Sequence, residues 1–288
     1  MGYTEEEGFR MKKILTTQKE VHFSGIGVHS GKQVHLRLKP SPSGHIVFRR
    51  TDLKNLELPL DWRRIETNHH TSLVYGEGKV HTLEHLLAVL CVFGIDSLVV
   101  EMDGEEVPIL DGSAAPLVEF LHRAGSQALP LERKSVVILK PFTVGDAEGS
   151  VSWAPDTHFK ITYSIEFDHP AIRRQELSLD INGDNFTRGI APARTFGFLK
   201  DVEVLKKQGL ALGGSFENAL VLDEQGVING PLRFPDEFVR HKILDFVGDL
   251  SLVGHPLIGH FKAHRAGHGL HLQAVRVLLK SPEYWRFV

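Results

Sequence analysis

The sequence predicts an α+β protein made of two similar halves, each a sheet with helices packed on one face. One observation is that a block of strands followed by helix, strand and helix is predicted twice along the chain. A second is length, because 288 residues exceed the usual size of one domain and favour two domains of about 120–160 residues.

Composition and charge argue against some kinds of binding partner and indicate a cellular compartment. Apolar residues make up 42% and charged residues 24% of the chain, the balance of a globular protein. A net charge of -3 without a basic block argues against nucleic-acid binding. The longest apolar run, 86–95, is too short to cross a bilayer. The single cysteine, Cys91, fits a reducing compartment, so a cytoplasmic protein is expected. Nothing in the sequence demands an oligomer, so a monomer is expected as well.

The first elements are strands. Residues 1–13 open acidic without an apolar segment behind them, so they predict a flexible N-terminal extension rather than a secretory signal. The stretches VHLRLKP (34–40) and HIVFRR (45–50) alternate in polarity around the turn-forming SPSG. This pattern predicts a β-hairpin.

Two helices and a strand follow in the first half. A helix is predicted at about 83–93, a strand at 96–104, and a second helix at 111–125. Ser113 is the expected N-cap of the second helix, and a glycine ends each helix.

The second half repeats this order after a polar connection. Residues 126–135 have the composition of a linker, so we expect domains at 14–127 and 128–288. KSVVILKPFTV (134–144) predicts a strand, and strict alternation predicts another at 158–167.

The C-terminal part completes the second copy of the repeated pattern. A helix is predicted at about 236–253, a strand at 257–264 and a helix at about 268–280. A Gly-His-Pro break separates the first helix from the strand.

The helix VRHKILDFVGDL carries an unusual polar row. His241, Asp245 and Asp249 stand four residues apart and therefore share one face. A His–Asp pair at this spacing can converge on a metal ion, and catalytic zinc typically takes three such ligands. The chain's 17 histidines favour acid–base or metal chemistry. A helix ion pair without metal explains the spacing equally well.

The segment VHTLEHLLAVL offers a further ligand. Thr82 is a candidate cap, which puts Glu84 and His85 in the first turn of the helix. Their adjacency resembles half of the H-E-x-x-H arrangement of a zinc ligand beside a catalytic carboxylate. Alternatively, Glu84 favours the helix dipole and His85 is a half-buried structural histidine. His81 also lies four residues before His85, so spacing does not decide which is the ligand.

Several motifs together resemble one enzyme family. They are GIGVHSG, HTLEHLLAVL, PILDGSAAP, ARTFGF, LGGSFENALV, FVRHKILDFVGDL and AGHGLH. In this order and spacing, from about residue 15 to the C-terminus, the chain resembles the zinc-dependent UDP-3-O-acyl-N-acetylglucosamine deacetylases of lipid A (lipopolysaccharide) synthesis. The resemblance implies two α+β domains with the active site between them. It also implies one catalytic zinc ion and a UDP-linked acylated amino sugar as substrate.

Carried onto matching positions, the resemblance assigns the metal site. It makes His85, His241 and Asp245 the zinc ligands, and His81 then has no role. Glu84 becomes the base that activates the metal-bound water for attack on the 2-acetamido carbonyl of the sugar.

The resemblance also implies four further active-site residues. Thr195 would stabilise the oxyanion, and His268 as a cation would stabilise the intermediate and protonate the leaving amine. Asp249 would keep that imidazole protonated and oriented, and Lys242 would lie near the sugar and phosphate. Taken alone, Thr195 is favoured as a strand residue, His268 as a loop or cap residue and Lys242 as a solvated lysine. How the base and His268 divide the proton transfers stays open.

The substrate's acyl chain requires an apolar groove. The stretch 196–215 is the expected wall, and its candidate substrate-binding residues are Phe196, Phe198, Leu210, Leu212 and Gly214. His29 and His69 are expected at most to line the site. The chain has no Walker-type loop, so scattered basic residues would bind the diphosphate.

Two other functions remain to be distinguished. A phosphoesterase would call for a two-metal, carboxylate-rich site. A non-catalytic module would hold zinc in a closed, four-ligand site that only steadies the contact between the domains.

Overall fold

The computed structural model describes residues 12–288, which contain six α-helices and nineteen β-strands. The fold is α+β, as predicted, with sheets and helices in two similar halves. Of the predicted N-terminal extension, residues 1–11 lie outside the described residues, whereas Lys12 and Lys13 belong to the first strand.

The first half holds a five-stranded sheet, a three-stranded sheet and two helices. Its strands are β1 (Lys12–Thr17), β2 (Val21–Ile26), β3 (Gln33–Pro40), β4 (Ile46–Arg50), β5 (Leu56–Pro59), β6 (Ile65–Thr67), β7 (Thr71–Tyr75), β8 (Gly78–Val80) and β9 (Leu98–Met102). Its helices are α1 (Glu84–Val92) and α2 (Ala115–Ala124). The larger sheet has the order β2-β3-β9-β4-β5 and the smaller one β6-β7-β8.

The predicted hairpin of β3 and β4 is wrong, although both strands form. Strand β9 lies between them, antiparallel to β3 and parallel to β4. Leu98, Val100 and Met102 of β9 are buried. An apolar strand therefore takes the centre of the sheet, and the two more polar strands pair with it instead of with each other.

The second half is built on a seven-stranded sheet. Its strands are β11 (Val136–Ile138), β12 (Phe142–Gly145), β13 (Ser150–Ala154), β14 (Phe159–Phe167), β15 (Arg173–Asp180), β18 (Leu257–His264) and β19 (Trp285–Phe287). Strand β18 is central, because β11 and β13 pair along it on one side and β14 on the other. Two short parallel strands, β16 (Phe196–Phe198) and β17 (Leu220–Leu222), form a separate pair.

Four helices complete this half. They are α3 (Gly183–Gly189), α4 (Leu199–Lys207), α5 (Glu237–Leu250) and α6 (His268–Lys280). Helix α5 is buried at every position except Arg240 and Lys242, because it packs against α1 of the first half as well as against β14, β15 and α6. The interior of the molecule therefore runs without a break from one half to the other.

The connection expected to be an irregular linker is a strand. Residues Ser126–Arg133 form β10, which pairs antiparallel with β1. Most of its side chains are exposed, so its polar composition reflects a solvated two-stranded ribbon.

The cap predicted for α1 is wrong, whereas Ser113 lies one residue before the cap position of α2 and its hydroxyl oxygen accepts from the N–H of Ala115 at 3.3 Å. Thr82 has a left-handed backbone (φ 58°), and its hydroxyl donates to Glu106 Oε1 at 3.0 Å instead of capping α1. Helix α2 begins at Ala115, with Ala114 in the cap position. The hydroxyl of Ser113 donates to Asp111 Oδ1 at 2.8 Å, so it stabilises the preceding turn.

Within residues 12–288, no helix combines the length and apolar character needed to cross a membrane.

Candidate metal centre and active site

Three side chains predicted as metal ligands come together where α1 meets α5. Nε2 of His85 lies 3.6 Å from Oδ1 of Asp245, and Nε2 of His241 lies 3.4 Å from the same oxygen. All three residues are buried, and their ligand atoms lie within 4.8 Å of one another. Two imidazoles and one carboxylate are a ligand set typical of catalytic zinc.

Hydrogen bonds orient two of these side chains. Nδ1 of His241 donates to the carbonyl oxygen of Ala193 at 3.0 Å, which leaves Nε2 with its lone pair. Burial lowers the pKa of His241 to about 4, so the ring is neutral. Nζ of Lys242 donates to Oδ2 of Asp245 at 2.6 Å. Burial alone would raise the pKa of Asp245, but the ammonium of Lys242 holds it well below its usual range.

Glu84 lies beside this ligand set. Its Oε2 accepts a hydrogen bond from the backbone N–H of Thr71 at 3.1 Å, and its Oε1 lies 4.0 Å from Nε2 of His268. Burial raises the pKa of Glu84, although the nearby His268 opposes the shift. A carboxylate with a raised pKa is a stronger proton acceptor, which suits a general base.

Asp249, the third member of the row on α5, bonds to two histidines of α6. Nδ1 of His268 and Nδ1 of His271 donate to its Oδ2 at 2.7 and 2.8 Å. Burial alone would lower the pKa of His268, but the Asp249 carboxylate raises it to about 9. His268 is therefore a cation at neutral pH, with Nε2 facing Glu84.

Asp249, His268 and His271 also lie close enough together to hold an ion, but their hydrogen bonds favour another use. Both Nδ1 atoms already donate to Asp249, and Nε2 of His271 lies 3.0 Å from the hydroxyl of Tyr163. Only one imidazole nitrogen faces the ligand set. This arrangement does not favour the two-metal site expected of a phosphoesterase.

These groups lie at the floor of a cleft of roughly 730 Å³. Lys242 lines this cleft and is not a solvated residue. Other predicted residues that line it are Thr195, Phe196, Phe198, Gly214, His29 and His69.

Two predicted wall residues do not line this cleft. Leu212 is 51% exposed, and Leu210 lines a smaller neighbouring cavity with His29 and Glu106. The left-handed backbone of Ala211 (φ 53°) turns the chain between the two leucines. The cleft lining therefore does not support Leu210 and Leu212 as substrate contacts, and that role stays a prediction.

The alternative ligand His81 is also removed from the ligand set. It precedes α1, which begins at Glu84, so it does not share a helix face with His85. Its Nδ1 lies 2.7 Å from the hydroxyl of Ser72 and 3.3 Å from Nε2 of His70.

Helix α4 lies within the predicted wall 196–215 and contributes three lining residues that the sequence analysis did not name. Leu199, Val202 and Leu205 line the cleft, and no residue of α4 is buried. Their three-residue spacing predicts one helix face, a signal that was available in LKDVEVL. This apolar face lines the cleft and does not join the protein core.

Two polar residues near Asp249 were missed as well. His271 lies three residues after His268, so the helical spacing was a usable signal. Thr71 lies in ETNHHTSL, and nothing local in the sequence distinguishes it from other strand threonines. Its contacts to Glu84 and Asp249 depend on residues far away in the chain.

The arrangement has the parts of a hydrolytic site. Three candidate ligands converge at a cleft that leaves space for a substrate, and a carboxylate and a cationic imidazole flank them. An open site of this kind distinguishes catalytic from structural metal centres. A closed module that only steadies the contact between the halves is therefore less favoured.

Comparison with known proteins gives one consistent match. The family model described as LpxC: UDP-3-O-acyl N-acetylglycosamine deacetylase matches residues 15–280. The UDP-3-O-acyl-N-acetylglucosamine deacetylase of Myxococcus xanthus (strain DK1622) is 47% identical over 277 residues, covering 95% of this chain and 88% of the relative.

Two further relatives carry the same name. The protein of Syntrophotalea carbinolica (strain DSM 2380 / NBRC 103641 / GraBd1) is 45% identical, covering 95% of this chain and 90% of the relative. That of Pseudomonas entomophila (strain L48) is 44% identical, covering 96% of this chain and 94% of the relative. The similarity therefore extends over nearly the whole length of both proteins in each comparison.

Proposed function

The chain belongs to the UDP-3-O-acyl-N-acetylglucosamine deacetylase family, and we propose that it hydrolyses the 2-acetamido group of a UDP-3-O-acyl-N-acetylglucosamine. Water supplies the oxygen of the acetate, the carbon–nitrogen bond breaks, and the nitrogen gains a proton to leave the 2-amino sugar. The observation that carries this proposal is the convergence of three ligands, Glu84 and His268 at the floor of one cleft. As the family resemblance implies, the reaction belongs to lipid A synthesis in the cytoplasm.

The residues present fit a zinc ion. His85, His241 and Asp245 would hold it, because two imidazole nitrogens and a carboxylate oxygen are buried together and face one another. The bond from His241 to Ala193 supports this assignment, because it directs the unprotonated nitrogen toward the ligand set. When bound, zinc supplies Lewis acidity, which polarises a carbonyl group and lowers the pKa of water.

Glu84 would act as the general base. Its Oε2 is held by the N–H of Thr71, which leaves Oε1 to take a proton from the attacking water. Burial raises its pKa, so the proton it accepts is held near the reaction until it is passed on.

His268 would supply the proton that the leaving amine needs. Its Nδ1 is bonded to Asp249, so Nε2–H is the end of the ring that can donate toward the substrate nitrogen. The Asp249 carboxylate favours the protonated imidazole. The atoms that remain free, Oε1 of Glu84 and Nε2 of His268, support this division of labour, with Glu84 as base and His268 as acid.

Thr195 and Lys242 would stabilise charge on the substrate. Both line the cleft next to the ligand set. A threonine hydroxyl can donate to the developing oxyanion, and the ammonium of Lys242, already bonded to Asp245, can also attract anionic substrate groups.

The 3-O-acyl chain would lie against the apolar wall of the cleft. Phe196 and Phe198 line it from β16, and the apolar face of α4 lines it as well. Burial of methylene groups against such a wall contributes about 0.8 kcal/mol per CH₂ group.

The proposal is tested by metal content and acetate release, measured for the wild type and for Glu84→Ala. We expect the wild type to hold about one zinc ion and to release acetate. The variant should keep the metal but turn over at least about a hundredfold more slowly. Glu119→Ala, which alters an exposed carboxylate on α2, is the matched control and should behave as the wild type. Near-normal turnover by Glu84→Ala would contradict the assigned role.

A further inference from the structure

Thr71 bonds to carboxylates from both halves of the protein. It is the first residue of β7, and it is 0% exposed. Its N–H donates to Oε2 of Glu84 at 3.1 Å, and its carbonyl oxygen accepts from the N–H of Leu83 at 3.1 Å. Its hydroxyl donates to Oδ1 of Asp249 at 2.6 Å. One residue therefore holds the candidate base and the partner of the candidate acid.

The hydroxyl of Thr71 donates to Asp249 rather than to His268. Its oxygen lies 3.3 Å from Nδ1 of His268, but that nitrogen lies 2.7 Å from Oδ2 of Asp249. An ionised carboxylate only accepts hydrogen bonds, so the hydroxyl and the imidazole each donate to a different oxygen of the same group. Together they fix the rotation of the Asp249 carboxylate.

Nothing nearby would replace this hydroxyl. Asp249 is 1% exposed, and among residues 12–288 only Thr71 donates a hydrogen bond to its Oδ1, whereas His268 and His271 share Oδ2. A buried carboxylate oxygen without a donor is costly. Without the hydroxyl, the carboxylate is free to rotate toward the two histidines, and the ring of His268 moves with it.

We propose that Thr71 is a positioning residue for deacetylation, which sets Glu84 through its N–H and the Asp249–His268 pair through its hydroxyl. This inference rests on the proposed function only in naming the reaction. The geometry it describes exists whatever the substrate.

The first test compares Thr71→Val with Thr71→Ser in acetate release from the UDP-acyl-sugar by the metal-loaded enzyme. Valine removes the hydroxyl and keeps the shape, so we expect kcat to fall about tenfold to a hundredfold, the loss of one hydrogen bond to a charged group. KM and bound metal should change less than about twofold, because Thr71 is neither a candidate ligand nor a residue that lines the cleft. Serine restores the hydroxyl and should restore kcat to within about threefold of the wild type.

A matched control is available in β1. Thr17 is also 0% exposed, and its hydroxyl has no hydrogen-bond partner among residues 12–288. Thr17→Val should therefore leave kcat unchanged. The inference is overturned if Thr71→Val turns over as fast as the wild type, if it raises KM alone, or if Thr71→Ser is as slow as Thr71→Val.

A second readout does not depend on activity. In protein labelled with ¹⁵N-histidine, the imidazole N–H that His268 donates to Asp249 gives a proton resonance assigned by its loss in His268→Gln. This resonance should shift in Thr71→Val and return in Thr71→Ser. An unmoved resonance in Thr71→Val overturns the positioning role, whereas a wild type that releases no acetate overturns only the proposed function.

Discussion

Gly248 of α5 lies directly against the backbone of Glu84 at the start of α1, and this close contact lets the two helices that carry the proposed ligands approach each other. A Cβ atom at Gly248 would overlap the carbonyl oxygen of Glu84 and lie 2.7 Å from its carbonyl carbon. Any side chain there forces the helices apart. Since α1 carries Glu84 and His85 while α5 carries His241 and Asp245, the ligand set depends on this glycine.

Gly248→Ala should therefore weaken both the fold and the metal site. We expect about 1–3 kcal/mol of lost stability from overpacking, together with lower zinc occupancy, because the separation between His85 and Asp245 grows. Chemical unfolding and metal analysis measure the two effects. Gly226→Ala is the control, since a Cβ at Gly226 meets no atom within 4 Å. A Gly248→Ala protein with wild-type stability and metal content would show that the helices tolerate separation.

Replacement of His85 should weaken zinc binding, whereas replacement of His81 should not. His85→Ala removes a member of the ligand set, so zinc affinity should fall by more than about a hundredfold, the upper end of the loss caused by removing outer partners of a metal site. His81→Ala should keep about one zinc ion per chain, since His81 bonds to Ser72 instead. Zinc titration against a chelating dye measures both variants. An equal loss of zinc affinity in the two variants would indicate that His81 is also a ligand.

The lowered pKa of Glu237 predicts how the free energy of unfolding depends on pH. Glu237 is 0% exposed, and its carboxylate accepts from Nε of Arg194 at 2.9 Å and from the backbone N–H of Arg233 at 2.6 Å. Burial alone would raise the pKa of Glu237, but these bonds lower it. Because the folded-state pKa lies below the unfolded value of about 4.3, Glu237 stabilises the fold above that pH. This contribution is lost as the pH falls through the folded-state pKa.

Glu237→Gln should thus cost about 3 kcal/mol of unfolding free energy at pH 7, and the difference from the wild type should shrink below about pH 4. Urea unfolding at a series of pH values measures this difference. Glu119→Gln, on the exposed face of α2, serves as the control and should show no such trend. A pH-independent penalty for Glu237→Gln would mean that its packing matters and its charge does not.

The structure confirms the sequence-based predictions for segments whose local polarity pattern is sufficient to identify the element. The strand 257–264 and the helix 268–280 have the predicted bounds, because period-two and period-3.6 alternation are complete within each segment. The row His241, Asp245 and Asp249 needed only a helix to share one face.

The sequence-based predictions were wrong or incomplete where the residues that pair or contact each other are distant in the chain. Nothing in 34–50 reveals that β9, about 50 residues later, separates β3 from β4. The polar segment 126–133 forms a strand only because β1 pairs with it. Thr71 acts through a backbone N–H and a hydroxyl, groups that any strand threonine has, so its place in the site follows from tertiary contacts alone.

Helix α4 gives a prediction about the acyl chain. Leu205 lines the cleft, whereas its neighbour Val204 is 54% exposed and is absent from the lining. Neither is buried in the core, so truncation of either should leave stability unchanged. Leu205→Ala removes apolar contact with the acyl chain worth about 1–2 kcal/mol, which lowers kcat/KM about fivefold to thirtyfold for the long-chain substrate.

The same change should not affect an analogue that lacks the 3-O-acyl group, because that molecule never contacts α4. Steady-state kinetics with both substrates separate the acyl contact from a general defect of the site. Val204→Ala, on the other face of the helix, should match the wild type on both. If Leu205→Ala slows the two substrates equally, α4 shapes the catalytic centre and the acyl chain lies along a different wall.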